Sequence, residues 1–168
     1  MPVKKIVKQD NIPKLKNILS ELKNKKIQVG IFGDDPHVLL YAGVNEFGCN
    51  IQITPKMRVW LHANGLHVKD TTTEIHIPER SFIRKTANEK EDEISALLKT
   101  NLDLLLTFRM DITTFFNKLG EKLVEITKQT VQDTYSPPNH PFTLQRKEGT
   151  HPLINSSTML NSITFKIV

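Results

Sequence analysis

Two short runs of the chain alternate apolar and polar residues. Residues 26–32 carry isoleucine or valine at every second position, and residues 163–168 carry isoleucine or phenylalanine in the same way. A period of two residues is typical of a β-strand that is buried on one side. Because the two runs match in length and alternation, we predict that the C-terminal strand pairs with residues 26–32 and closes a small mixed or antiparallel sheet.

Five other stretches repeat apolar residues at every third or fourth position, which predicts amphipathic helices. They span residues 11–25, 37–47, 81–105, 111–134 and 155–163. Asn11 and Asp111 are suitable N-caps for the first and fourth of these helices, and Gly48 follows the second as helix-ending glycines do. The third and fourth helices are the longest, so we expect them to cover the sheet, either as two helices or as one that bends.

The dipeptide Asn64-Gly65 lies between two runs with the pattern of extended chain. Asn-Gly is a preferred pair for a two-residue type I′ turn, so the sequence predicts a β-hairpin here. In that register Leu61 lies opposite Val68 on an apolar face, while the other face is mostly polar. We therefore expect residues 57–77 to form a hairpin excursion from the sheet.

A long loop with four prolines is predicted at residues 136–152. Loops of more than ~12–15 residues are uncommon in compact domains, and they often carry function or are ordered by a partner. Together with the helices and strands, this predicts that residues 1–168 form a single α+β domain, in which helices cover one small sheet.

The formal net charge of +5 is concentrated at one end of the chain. Residues 1–30 contain eight lysines and two acids, Asp10 and Glu21, whereas the remainder is close to neutral. A solvated helix face and a contact with an acidic partner or nucleic acid both explain this excess, and the sequence leaves the two open. Residues 1–30 contain no aromatic side chain, so they offer no platform for stacking bases.

The residues that usually carry chemistry do not form a recognisable motif. Cys49, His62, His67 and His76 lie within 28 residues, but they lack the paired spacing of a zinc site. The two glycines of VGIFGDD are too few for a phosphate-binding loop. Cys49 has no flanking motif of an activated nucleophile, which makes a hydrolase that uses it the least favoured alternative. We therefore predict no enzymatic activity, no metal and no cofactor.

The cysteine count and the hydropathy of the sequence indicate the cellular compartment in which the protein is made. A single cysteine cannot form an intramolecular disulfide, so nothing indicates an oxidising environment. The sequence has no long apolar run, so we expect neither a signal peptide nor a membrane partner. Synthesis in the cytoplasm is the corresponding expectation.

Three segments together resemble a known family. They are VGIFG followed by YAGVNEFGCNIQI, then IPERSFIRKT, and finally PPNHPFTLQRKEGTHPLINSSTMLNSITFKIV. In this order and spacing they resemble the tail-completion or neck proteins of tailed bacteriophages and prophages, a group that includes the virion-morphogenesis proteins of Mu-like phages. The resemblance covers residues 27–168. The matching residues are Tyr41, Ala42, Glu46, Phe47, Gly48, Ile77, Pro78, Arg80, Phe82, Ile83, Arg84, Arg146, Lys147, Pro152, Leu153, Ile154, Leu160, Ser162 and Ile163.

The chain departs from the family pattern in two places. Asn155, Ser156 and Ser157 replace an aspartate, a threonine and a glycine, and Ser81 replaces a proline. Both versions of the first segment can cap a helix, so the fold is expected to be the same.

The resemblance implies a structural protein of the phage head–tail junction, without a catalytic site. Such proteins form rings, commonly six-fold, so the expected partners are further copies of this chain, other head–tail connector proteins and the tail tube. Genome DNA would pass through the channel without specific binding. The expected location is the virion, after synthesis in the cytoplasm of a bacterial host. A tail-terminator ring and a small basic nucleic-acid-binding protein are the alternatives.

The resemblance also implies roles for residues. Tyr41, Phe47 and Phe82 would be core anchors, and Pro78 would end a strand. The complete set of expected motif and core residues is Tyr41, Glu46, Phe47, Gly48, Pro78, Phe82, Leu153, Ile154, Leu160 and Ile163.

Four basic residues are candidates for a subunit interface: Arg80, Arg84, Arg146 and Lys147. Arg80 and Arg84 would begin the long helix, where their charge opposes the helix dipole, so we expect each to pair with a carboxylate. That carboxylate belongs either to a neighbouring subunit or to Glu46 or Glu79. The loop at residues 136–152 would lie against a neighbour or line the channel.

Overall fold

The computed structural model describes residues 10–33 and 35–168. Within these residues the chain forms eight helices and four short strands, which confirms the predicted α+β class. In chain order they are α1 (Ile12–Asn24), β1 (Ile27–Ile31), α2 (Pro36–Phe47), β2 (Cys49–Gln52), α3 (Pro55–Ala63), β3 (Glu74–Ile77), α4 (Phe82–Glu89), α5 (Glu91–Leu106), α6 (Ile112–Asp133), α7 (Pro141–Leu144), α8 (Thr158–Asn161) and β4 (Ile163–Ile167).

The predicted pairing of the C-terminal strand is confirmed. β1 and β4 are antiparallel, with Ile27 opposite Ile167 and Ile31 opposite Ile163. Beyond the strands, the backbone of Lys26 continues the pairing by both donating to and accepting from Val168. The two alternating runs therefore form the first sheet.

α6 covers this first sheet, in contact with both β4 and β1. The contact is close because Gly120 faces Phe165, and a Cβ atom at position 120 would lie 2.3 Å from the Phe165 ring. The N-terminus of α6 is capped as predicted, because the Asp111 carboxylate accepts from the Thr114 N–H at 2.9 Å.

The core consists of two clusters that share α6. One contains Phe82, Val131 and Ile163 among its buried members, and it joins α2, α4, α8 and β4 to α6. The other contains Ile18, Leu105 and Phe115 among its members, and it joins α1 and α5 to α6. α5 therefore packs on α6 and not directly over the first sheet.

The long helix predicted at residues 81–105 is two helices, α4 and α5. Lys90, with φ −110° and ψ 15°, breaks the helix between them. Glu91, Asp92 and Glu93 then occupy the first turn of α5, where negative charge stabilises a helix N-terminus. This acidic run favours a new helix start over a continuous helix.

The start of α1 also differs from the prediction. The Ile12 N–H donates to Asp10 Oδ1 at 3.0 Å, so the residue before Asn11 supplies the side-chain acceptor. Within the described residues, the Asn11 side chain makes no capping bond.

The predicted hairpin at residues 57–77 is wrong. α3 occupies its first half, because Thr54 caps the helix with an acceptor 3.1 Å from the Met57 N–H and Pro55 fits the first turn. Asn64 ends the helix, and Gly65 follows with φ +87°. An Asn-Gly pair serves a helix end as well as a type I′ turn, since both need a residue that tolerates positive φ.

Only the last strand of that segment is present, as β3. It pairs antiparallel with β2, with Cys49 opposite Ile77 and Gln52 opposite Glu74. We call this second two-stranded sheet the ribbon. The structure thus divides its strands between two sheets, whereas the sequence predicted one.

Candidate functional site

The three segments that carry the family resemblance meet at the start of α4. Glu46, in the last turn of α2, is buried, and its carboxylate accepts from the N–H groups of Ile83 and Arg84 at 2.9 and 3.1 Å. These are free N–H groups at the beginning of a helix, so Glu46 caps α4 from a distant part of the sequence. In the described chain the Ser81 side chain makes no cap bond, which leaves this function to Glu46.

Arg84 pairs with carboxylates of its own chain. Its Nε lies 3.1 Å from Glu46 Oε1, and its Nη2 lies 3.3 Å from Glu79 Oε2. The hydrogen bond to Glu46 is the main reason that the pKa of Arg84 is raised. The guanidinium also stacks 5.1 Å from the centre of the Phe47 ring. Of the two alternatives for Arg84, the internal pair is the one the structure contains.

Arg80 is buried and is bound by carbonyl groups. It donates to the backbone oxygens of Pro137 and Pro138 at 2.6 and 3.1 Å, and to side-chain amide oxygens of Asn45 and Asn139 at 3.3 Å each. Burial lowers the pKa of its guanidinium. This environment fixes the beginning of the proline-rich loop, and it leaves Arg80 little surface for the subunit contact that the sequence suggested.

Lys147 holds the other end of the same loop. Its Nζ donates to the backbone oxygens of His151 and Pro152, the latter at 3.1 Å. Burial is the main reason that the pKa of Lys147 is lowered, and the positive charge of Arg80 adds to the effect. Asn139 Nδ2 also donates to Pro152 O, so the two ends of the loop share an acceptor.

Arg146 connects the loop to α3. Its guanidinium stacks 3.8 Å from the centre of the Phe142 ring, and its Nη2 donates to Asn64 O at 2.6 Å. Phe142 in turn meets the edge of Trp60, with the ring centres 6.4 Å apart. Arg146 is exposed, so its expected place at a subunit interface stays a prediction.

Two of the three expected core anchors are on the surface. Phe82 is 0% exposed and lies in the core as predicted, but Tyr41 is 58% exposed and Phe47 is 69% exposed. The reason is the face that α2 buries, which consists of Val38, Ala42 and Glu46 at steps of four residues. Tyr41 and Phe47 lie on other sides of the helix.

Five other motif residues lie in the core or at a close backbone contact. Leu153 and Ile163 are buried in the core, and Ile154 and Leu160 pack against it. Gly48 has φ +67°, and a Cβ atom there would lie 2.9 Å from Ile77 O, so only glycine fits between α2 and the ribbon.

An open cleft of about 420 Å³ adjoins this network. Its walls include Phe47, Cys49, His76, Pro78, Glu79 and Pro137. Sequence motifs alone did not reveal it, because its walls come from α2, both strands of the ribbon and the proline-rich loop.

No family model, curated protein or solved structure matches this chain in comparisons with known proteins. The resemblance to phage neck proteins therefore rests on the motif residues described above. Among residues 10–33 and 35–168, no helix combines the length and the apolar character that crossing a membrane requires. In the same part of the chain, histidine, cysteine and acidic side chains do not gather in groups of three or more that could hold a metal.

Proposed function

We propose that this chain is a structural, non-enzymatic protein of the head–tail junction of a tailed phage, a neck or tail-completion subunit that assembles into a ring. One observation supports this most strongly. The three segments that carry the resemblance are distant in sequence, yet they meet in one hydrogen-bonded network around Glu46 and Arg80. The motif residues of such a network need no catalytic role, since capping a helix and fixing a loop account for them.

Exposed apolar side chains support self-assembly. α2 exposes Leu40, Tyr41 and Phe47, and α3 exposes Val59 and Trp60. Single exposed apolar residues are ordinary, but grouped ones commonly mark an interaction surface. Two different surfaces on one chain suit a head-to-tail contact, which closes into a ring when the rotation between neighbours allows it.

The proposed partners follow from that role. They are further copies of this chain, other head–tail connector proteins and the tail tube. A six-fold ring is the first assembly to test. Genome DNA would cross the ring without sequence recognition, and the mature location would be the virion. A tail-terminator ring would use the same kind of assembly, so it is the nearest alternative.

The test is the mass of the purified protein by light scattering, with negative-stain images at several concentrations. Rings of uniform diameter are the expected result. A monomer at every concentration, combined with DNA binding whose affinity falls steeply with salt, would instead favour the nucleic-acid-binding alternative. Unchanged mass in the Cys49→Ala variant is also expected, because the proposal gives the thiol no role.

A further inference from the structure

We propose that His151 is a pH-sensitive switch, whose neutral ring holds the C-terminal end of the proline-rich loop against α6 and whose protonated ring releases it. The inference goes beyond the proposed function and does not depend on it, because every contact involved lies within one chain. It gives a role to a titratable ring that takes no part in the network around Glu46 and Arg80.

The hydrogen bonds of the His151 ring assign its tautomer. The backbone N–H groups of Leu153 and Ile154 both donate to Nδ1, at 3.2 and 3.1 Å. The other ring nitrogen, Nε2, lies 3.0 Å from the backbone oxygen of Gln132. Because a carbonyl oxygen can only accept, Nε2 carries the proton and Nδ1 contributes its lone pair. All three bonds therefore require the neutral ring with its proton on Nε2.

These bonds connect the last turn of α6 to the segment that follows the proline-rich loop. Gln132 belongs to α6, whereas Leu153 is buried in the core and Ile154 packs against it. The ring of Tyr135, just beyond α6, meets the His151 ring edge-on, with 4.8 Å between the ring centres. His151 thus fixes the point at which the loop returns to the core.

Protonation of His151 removes the acceptor in this arrangement. An imidazolium ring has an N–H on both nitrogens, so Nδ1 can no longer accept from the backbone. The N–H groups of Leu153 and Ile154 would then face a third donor, and a partly buried donor without an acceptor costs free energy. The protonated ring therefore favours an open arrangement, in which it turns to water and the end of the loop leaves α6. Histidine is the side chain that ordinarily changes charge between about pH 5 and about pH 8.

The charged groups around His151 do not provide a partner for a protonated ring. Lys147 Nζ donates to the backbone oxygen of His151 itself, which brings a positive charge to the same end of the loop. The positive charge of Arg80 acts on Lys147 in turn. A second positive charge on the ring would therefore have a cation beside it and no compensating anion in this contact.

Neighbouring acidic side chains do not change this conclusion. Asp133, which follows Gln132 in α6, accepts from the side chain of Gln129 at 3.0 Å. Among residues 10–33 and 35–168, no aspartate or glutamate forms an ion pair with the His151 ring. From the α6 side the ring thus meets an uncharged carbonyl and the aromatic ring of Tyr135.

A second histidine in the same loop has to be distinguished from His151. His140 Nδ1 accepts from the Phe142 N–H at 3.2 Å, at the start of α7. Protonation of His140 would therefore act on α7, whereas protonation of His151 acts on the amide groups of Leu153 and Ile154. A measurement made at residues 153 and 154 reports on His151.

The first test is the tautomer of His151, measured from NMR spectra of the imidazole nitrogens in the wild-type protein at about pH 7.5, where an ordinary histidine is neutral. We expect a protonated Nε2 and an unprotonated Nδ1. A ring that carries its proton on Nδ1, or that exchanges evenly between the two tautomers, would overturn the inference. Neither result bears on the proposed function.

The second test is amide hydrogen exchange at Leu153 and Ile154, compared between about pH 7.5 and about pH 5 and corrected for the intrinsic pH dependence of exchange. The protection factors of both amides should fall at least about tenfold in acid, because two partly buried donors lose their acceptor. Ordinary aspartate and glutamate side chains remain mostly ionised at about pH 5, so the comparison isolates histidines. Protection that does not change between the two pH values would overturn the inference.

The His151→Asn variant keeps an acceptor but does not titrate. The amide oxygen of asparagine is attached to Cγ, as Nδ1 of histidine is, and asparagine side chains commonly accept from backbone N–H groups two residues further on. The protection of residues 153 and 154 in this variant should therefore be the same at both pH values. The matched control is His37→Asn, at an exposed histidine in the first turn of α2, which should keep the wild-type response.

The same fall in protection in His151→Asn as in wild type would overturn the inference, and so would loss of the pH response in His37→Asn. Circular dichroism checks that both variants fold. If His151→Asn does not fold, the tautomer and the pH response of the wild-type protein still decide, because both are measured on the unaltered chain.

Discussion

The two sheets of this protein are similar in size but differ in how far other elements cover them. Each consists of two short antiparallel strands. α6 covers the first sheet, and Ile163 in β4 of that sheet is only 2% exposed. In the ribbon, by contrast, most side chains are partly or fully exposed, and Ile51 is 37% exposed. Similar strand pairing in two sheets therefore does not imply a similar contribution to stability.

The contrast shows how a second sheet can persist without a core of its own. An isolated two-stranded hairpin is marginally stable in water. The ribbon is instead fixed at its ends, by the tight approach of Gly48 at one end and by α3 with its Arg58 contacts at the other. Its side chains remain available for other contacts, whereas Val29, Ile31 and Ile163 of the first sheet pack in the core.

The largest expected effect compares isoleucines of the two sheets. Ile163→Ala should lower the free energy of unfolding by about 3 kcal/mol, because it removes a buried side chain and leaves a cavity. Ile51→Ala, at the exposed position in the ribbon, should cost less than about 1 kcal/mol. Urea unfolding of the monomeric protein measures both. Similar losses in the two variants would show that the ribbon also contributes to the core.

A smaller effect is expected from Gly120→Ala, at the contact between α6 and the first sheet. The new methyl group would meet the Phe165 ring, at a cost of about 1–3 kcal/mol for overpacking, partly offset by about 1 kcal/mol from the better helix propensity of alanine.

The control for this variant is Gly43→Ala in α2, where the added carbon would have no atom within 4 Å beyond its chain neighbours and the local helix backbone. It should stabilise the protein by up to about 1 kcal/mol, measured by the same urea titration. Stabilisation by both alanines would mean that α6 does not press on β4 as closely as described.

The smallest expected effect is a pH dependence at the start of α6. The pKa of Asp111 is held below its ordinary value of 3.8, chiefly by the hydrogen bond from the Thr114 hydroxyl and then by the Thr114 N–H. A carboxyl group with a lowered pKa stabilises the folded state above its unfolded pKa, and this contribution is lost as the pH falls through the folded value. The stability difference between wild type and Asp111→Asn should therefore shrink below pH 3.8.

Unfolding curves at pH values between 7 and 2 measure this difference for the two proteins. A difference that stays constant across the range would contradict the assigned role of the carboxylate. Asp111 begins the helix that covers the first sheet, whereas Trp60 lies on α3. Trp60 fluorescence of the folded protein at low concentration should therefore not respond to the titration of Asp111.

The strands and the helix that were predicted correctly have sequence patterns that fit one type of secondary structure only. β1 and β4 alternate strictly, and α6 combines a capping aspartate with apolar residues at helical spacing. α3 was missed because Asn64-Gly65 is compatible with a hairpin turn and with a helix end, and local sequence does not distinguish them.

The motif segments contain Glu46 and Arg80 of the candidate site, but they do not predict which groups these side chains contact. Tyr41 and Phe47 were assigned to the core from the family resemblance. Periodicity did not correct this assignment, because α2 is apolar on more than one side and its pattern does not select the buried face. The capping of α4 by Glu46 joins residues 37 positions apart, a contact that no local pattern specifies. The carbonyl environment of Arg80 depends on the path of the proline-rich loop, which is irregular chain.

The pairing of β1 with β4 has a consequence for biosynthesis. Ile27 pairs with Ile167, so nearly the whole chain lies between the partners. As the polypeptide leaves the ribosome, β1 emerges early and keeps an unpaired edge until β4 follows, which is a template for pairing with another nascent copy. Slow translation at low temperature, which keeps few incomplete chains close together, should therefore yield more correctly folded protein than rapid overexpression.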